Sequence, residues 1–212
     1  MMRKAYKKRG FTLIELVVVI AIIGVLAAIL IPTIMGVVAK ARIMSANSTA
    51  SNIKKSVDLM LLKSDSAHFG VVLNATEVFN ITVNTVNGTT TWKCSAANSG
   101  NFTNGVNITW GTPGTYTKGE DVSRIRTGEA LICAQLCENL DGLKRGSMVI
   151  VLEGGACTFV AFSDNSTDVL PQSEYPPLTN GKPPASFAWD GHTAGISPQG
   201  WIVGTAPQIP LP

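Results

Sequence analysis

Apolar and polar positions divide the chain into three stretches. From Leu16 to Ala39 run 24 residues without a charge, and the apolar stretch that starts at Phe11 holds only one, Glu15. As a helix rising ~1.5 Å per residue, such a run crosses the ~30 Å hydrocarbon core of a bilayer. Past Lys40 the pattern becomes amphipathic. Ile43, Ala46, Ala50, Ile53, Val57 and Met60 follow steps of three and four, while Lys40, Ser45, Asn52, Lys54, Lys55 and Asp58 take other positions. That spacing is one stripe of a helix that covers a core. The two patterns together predict a continuous helix over 11–66, membrane-spanning at 11–39 and amphipathic at 40–66. Gly70 marks the exit into other structure.

From residue 67 the periodicity changes. Two Thr- and Val-rich runs flank Asn87-Gly88, the strongest short signal for a type I′ hairpin. Val106, Ile108 and Trp110 alternate with polar residues, as in a half-buried strand. Gly128 to Leu140 returns to helical spacing and stops at Gly142. SMVIVLE and CTFVAFSD flank Gly154-Gly155 and predict a second hairpin. Residues 164–212 hold nine of the eleven prolines and read as loop-rich, with GWIVGT as an edge strand. The fold class expected is α+β, a long N-terminal helix packed on an antiparallel head at 67–212.

Charge sets the orientation. Five of the seventeen basic residues (Arg3, Lys4, Lys7, Lys8 and Arg9) lie before the apolar run, and only Lys40 and Arg42 follow it closely. This bias predicts a cytoplasmic N-terminus and an exported head. Without residues 1–10 the balance is 12 basic to 14 acidic residues, a net of −2. A basic face for nucleic acid is therefore not expected. The apolar run is too long for an ordinary secretory signal, and no A-x-A-like cleavage site follows it.

Within this frame KKRGFTLIEL carries a specific pattern: basic residues, Gly10, Phe11, then Glu15 four residues on, then the apolar helix with Pro32. It resembles the type III signal sequence of bacterial type IV pilins and pseudopilins. The resemblance covers residues 7 to about 40 closely, and the remainder in architecture only. It implies a leader of residues 1–10, cleavage by a prepilin peptidase between Gly10 and Phe11, and N-methylation of Phe11. It further implies that Glu15 of an incoming subunit pairs with the Phe11 amine of a subunit already in the filament, fixing axial register. A carboxylate in an apolar segment is costly, and a plain anchor gains nothing from it.

Gly24 and Pro32 read as a weak point of the helix. Pro32 has no N–H for the carbonyl of Ala28, and Gly24 adds backbone freedom. The resemblance implies that the stretch between them unwinds in filaments. It also implies the partners: other copies of this chain in a helical homopolymer, the peptidase, the inner-membrane pilus assembly machinery, and the membrane before assembly. The product would be a surface filament for adhesion or motility. The alternatives are a pseudopilin of a type II secretion system and a bitopic membrane-tethered binding module.

The four cysteines, Cys94, Cys133, Cys137 and Cys157, all follow the apolar run, so export predicts two disulfides with three possible connectivities. Cys133 and Cys137 sit one helical turn apart and are expected to reach different elements, Cys94 and Cys157, with Cys94–Cys133 and Cys137–Cys157 favoured over the crossed pairing. No metal site is expected, because His68 and His192 lie far off in loop-like contexts. No P-loop, dinucleotide fingerprint, nucleophile elbow or HExxH is present, so neither a cofactor nor an enzymatic activity is expected. Asn47, Asn74, Asn80, Asn87, Asn101, Asn107 and Asn165 each begin N-x-[ST]. Those from Asn74 onward are candidates for N-glycosylation in an exported head.

Overall fold

The computed structural model describes residues 11–66, 77–96, 114–117, 128–140, 142–165, 168–179, 182–188 and 195–210. Helix α1 runs Leu13–Ser66 without a break. The chain divides into two compact units, Met1–Ala41 and Arg42–Pro212, so the boundary falls inside α1. The second half of the helix belongs with the head, and its stripe is the reason. Ala46, Ala50, Ile53, Val57 and Met60 are all buried there, as the spacing predicts.

In the first unit the side chains of the apolar run are exposed, from Leu13 at 80% to Val38 at 45%. Pro32 lies within the helix. The hydroxyl of Thr33 donates to the carbonyl of Ile29 at 3.1 Å, one residue beyond the carbonyl that the proline leaves unpaired. The expected weak point is thus intact helix in this single chain.

Among the described residues the head is built on an antiparallel sheet of six strands in the order β3-β2-β1-β4-β5-β6. β1 (Glu77–Val86) and β2 (Thr89–Ala96) pair through a turn at Asn87 (φ 51°) and Gly88 (φ 82°). Two consecutive left-handed residues are what a type I′ turn requires. β3 (Gly114–Thr117) lies on the outer edge of β2. Helix α2 (Gly128–Asn139) follows, then the hairpin of β4 (Gly146–Glu153) and β5 (Ala156–Ser163). β6 (Val203–Ala206) closes the far edge. Both hairpins, α2 and the edge strand answer the sequence pattern. The strand expected around Val106–Trp110 and the exit at Gly70 lie outside the described residues.

Alternation splits the sheet into two buried faces. Phe79, Ile81, Val83, Trp92, Met148, Ile150 and Leu152 share one core with the stripe of α1 and with Ile132 and Leu136 of α2. On the other face Val149, Val151, Phe159 and Ala161 are covered by Leu170, Tyr175 and other residues of the C-terminal region. The central hairpin is therefore apolar on both sides, and β4 is buried from Gly146 to Leu152.

Between β4 and β5 the register breaks, with Val151 opposite Phe159 but Leu152 opposite Cys157. This bulge leaves Thr158 as the extra residue and re-aims its neighbour, as bulges do. Cys157 consequently joins the helix-side core, together with Val160 and Phe162.

Candidate functional site

Two places on α1 carry polar chemistry. The first is its N-terminus. Thr12 precedes the first helical residue, and its backbone N–H and its hydroxyl both donate to Glu15 Oε2, at 2.9 and 2.8 Å. The Thr12 hydroxyl oxygen in turn accepts from the Glu15 N–H at 3.3 Å. This reciprocal arrangement is a capping box, which satisfies helix-end donors that would otherwise lack partners. The T-x-x-E spacing carries that signal in the sequence, so Thr12 belongs beside Glu15 as a residue of the site. Both of Glu15's accepted bonds fall on Oε2. Phe11 is 85% exposed, and Gly10 lies outside the described residues.

The second place is where α1 meets the sheet. Asn47 Oδ1 accepts the N–H of Thr205 in β6 at 2.9 Å. Asp58 Oδ1 accepts the N–H of Cys157 at the bulge at 2.8 Å, while Asp58 Oδ2 takes Lys54 Nζ at 2.7 Å. The helix therefore hooks two strands, one at each end of its buried stripe. Between Asn47 and β6 there is no room for a side chain. A Cβ at Gly204 would run into the backbone of Ala46 and Asn47. Nothing in the sequence marks Asn47, Asp58 or Gly204 as a contact between helix and sheet.

The cysteines are all buried. Cys94 on β2 and Cys133 on α2 are joined by a side-chain hydrogen bond, which together with burial pushes the Cys133 thiol well above the ordinary thiol range. Cys137 adds to that shift through its charge. Cys157 has other surroundings. Its Sγ donates to the carbonyl of Phe159 at 3.8 Å. Burial, and then the Asp58 carboxylate, push its thiol up to about 12, with Lys54 acting against them. All four cysteines lie in the helix-side core, where Cys133 is beside Cys94 and Cys157 is beside Asp58, Lys54 and Phe159.

Asn87 and Asn165 are exposed, the first in the type I′ turn and the second beside Arg145, whose Nη2 donates to the Asn165 carbonyl at 2.9 Å. Asn80 is a correction to the sequence reading. It is 7% exposed and its Oδ1 is buried, because the outward alternation of β1 leads into the second core instead of into water. Asn47 is occupied by β6. Asn74, Asn101 and Asn107 lie outside the described residues.

A cavity of about 60 Å³ lies beside Asn47, lined by Ile43, Phe187, Gly195, Val203, Thr205 and others. Among the described residues its lining holds no carboxylate, histidine, cysteine or lysine. Among the described residues no three His, Cys, Asp or Glu side chains are placed to hold a metal ion.

Comparison with known proteins points to the same end of the chain. Residues 6–31 match the model of the prokaryotic N-terminal methylation motif. The fimbrial protein EcpB of Eikenella corrodens is 43% identical over 75 residues, covering 33% of this chain and 47% of that protein. The type II secretion system core protein G of Escherichia coli (strain K12) is 43% identical over 68 residues, 32% of this chain and 46% of the relative. The fimbrial protein of Pseudomonas aeruginosa is 43% identical over 56 residues, covering 26% and 36%. The chain spans about half the length, or less, of these curated relatives. No solved structure matches it.

Proposed function

We propose that this chain, whose N-terminal third is similar to type IV fimbrial proteins, is a member of the type IV pilin family and a structural subunit that polymerises into an extracellular pilus-like filament. The observation that carries the reading is the uncovered apolar helix surface of residues 13–38, with one carboxylate at its start. A contiguous apolar surface of this extent demands a partner. A bilayer supplies it before assembly, and the same helix of other copies supplies it afterwards. Contacts that repeat head to tail without closing make a fibre.

In this account a prepilin peptidase cuts after Gly10, and the new amine of Phe11 is N-methylated. Thr12 holds Glu15 through Oε2, which leaves Oε1 to receive the Phe11 amine of a neighbouring subunit. Burying either charge alone costs ~3–5 kcal/mol, so the pair favours one axial register over its neighbours. The segment between Gly24 and Pro32 is where the helix opens on packing into the filament. Assembly machinery of the inner membrane extracts the subunit, the head ends outside the cell, and adhesion or motility is the resulting task. The chain acts by assembly and not as an enzyme.

Gly10→Lys should leave full-length protein in the membrane. Glu15→Leu should leave cleavage and insertion intact and abolish filaments. Normal filament number and length from Glu15→Leu cells would sink the charge-pair account. The match to type II secretion core protein G supports a second reading, a pseudopilin confined to the envelope. Filaments visible on intact cells separate the two.

A further inference from the structure

The head begins at Arg42, and the surface around that entry is poor in charge. From Ile43 to Ile53 the helix carries no charged residue, and from Gly191 to Pro212 the chain has no Asp, Glu, Lys or Arg. These uncharged stretches meet beside Ile43. Gly195 lies so close that a Cβ there would run into the Ile43 side chain. Phe187, from the uncharged segment 183–188, donates its N–H to the Pro210 carbonyl at 3.0 Å. Ile43, Phe187 and Gly195 line the cleft of about 60 Å³ beside Asn47, together with Gln208 and Ile209. That volume is roughly the share of two waters in the liquid. Apolar walls with the side-chain amides of Asn47 and Gln208 suit a group that is apolar apart from a few hydrogen-bond acceptors. Arg42, one residue before Ile43, is exposed.

We infer that this entry surface docks on the phospholipid headgroups of the membrane that holds the precursor, with Arg42 on a lipid phosphate and the cleft on the glycerol-ester region. The inference rests on the reading of residues 16–39 as a membrane span, which the filament account also uses. Chain length brings the two surfaces together. Ile43 follows Ala39 by four residues, and four residues reach ~14 Å even when fully extended. Headgroups occupy roughly 5–8 Å on each side of the hydrocarbon. The entry surface therefore stays within reach of the headgroup layer whatever angle the helix takes. Its chemistry fits that layer. A carboxylate here would be repelled by lipid phosphates, whereas a cation is attracted to them. The Asn47 and Gln208 amides can donate to ester carbonyls, while Ile43, Phe187 and Ile209 meet the apolar part of the glycerol backbone. The contact would keep the head seated on the membrane until the subunit is extracted.

The test uses the full chain in phosphatidylglycerol nanodiscs. The photo-crosslinker p-benzoylphenylalanine replaces Gln208 in one sample and Asn87, exposed in the β1–β2 turn, in another. After irradiation, mass spectrometry reads the adducts. The expected result is a lipid adduct at Gln208 and none at Asn87. Arg42→Glu should lower the yield at Gln208 about fivefold or more, the worth of at least one cation at an anionic surface. Its near-ultraviolet circular dichroism melt should match the parent, because Arg42 is exposed. Equal yields at the two positions, a yield unchanged by Arg42→Glu, or a crosslink to a second copy in place of lipid would each overturn the proposal. A chain that fails to enter nanodiscs would overturn the anchor reading, and the docking surface with it. An inserted chain without an adduct at Gln208 would overturn the docking surface alone. Failure of the filament reading looks different again, since filaments would be missing while the adduct still formed.

Discussion

Substituting Gly204 with alanine tests how α1 is seated on the head. The position is not one of positive φ, so its backbone accepts alanine, and the loss of unfolded-chain freedom alone would stabilise by ~0.4–1 kcal/mol. Sterics oppose that gain. The new Cβ meets the carbonyl carbon and oxygen of Ala46 and the amide nitrogen of Asn47, all backbone of a helix that cannot change rotamer. Either α1 lifts from β6, or β6 tilts away from β5. Overpacking of this kind costs ~1–3 kcal/mol. The same opening stretches the Asn47 Oδ1 to Thr205 N bond of 2.9 Å, and a buried donor left unsatisfied costs ~1–3 kcal/mol more. The steric side wins by about 3 kcal/mol, with the entropic gain subtracted. For a domain the size of Arg42–Pro212, that is a fall in Tm of roughly 6–12 °C. Near-ultraviolet circular dichroism of the full chain in detergent is the suitable assay. It follows Trp92, which is 1% exposed, and is blind to the apolar helix. Asn47→Ala should reproduce only the hydrogen-bond part, about 1–2 kcal/mol. A Gly204→Ala melt within about 2 °C of the parent, under 1 kcal/mol, would refute the close seating of α1 on β6.

Three further outcomes are expected. A bond from Cys94 to Cys133 closes a long loop, so Cys94→Ser should cost the oxidised head about 4 kcal/mol in urea unfolding, and reductant should remove that difference. Burial raises the folded Cys157 thiol to about 12 from an ordinary value of 9.0. Its contribution is thus complete below pH 9 and is lost as pH climbs toward 12. The stability difference between parent and Cys157→Ala should shrink over that range, and a difference constant from pH 8 to 11 would contradict the buried thiol. Glycopeptide mapping of filament protein should find sugar, where the source glycosylates, at Asn87 or Asn165 and not at Asn80 or Asn47. A glycan on Asn80 would mean that the second face of the sheet is open.

Legibility in the sequence followed the range of the interaction. The hairpin at Asn87-Gly88 and the stripe from Ile43 to Met60 depend on residues within a few positions of one another, so their periods and turn chemistry show in the chain. Asn47 reads as a sequon and Asp58 as a polar position of an amphipathic helix. Their partners, Thr205 and Cys157, lie 158 and 99 residues away, and nothing local marks them. Gly204 reads as an unremarkable strand residue because its constraint comes from a helix far off in sequence. Asn80 was misplaced for a related reason. Alternation identifies which residues share a face, but it cannot say that the Pro-rich C-terminal region covers the face opposite the helices. At the N-terminus the basic residues, Gly10, Phe11 and Glu15 were legible as a motif. The part played by Thr12 emerged from the capping geometry.

The most direct test of the filament account is made on the product itself. Surface filaments sheared from cells expressing this chain should be purified, imaged, and subjected to N-terminal sequencing and intact-mass measurement. The account predicts fibres whose subunit begins at Phe11, bears one methyl group on its amine, and lacks residues 1–10. A chain found only in the envelope, beginning at Met1 and absent from any filament, would contradict it.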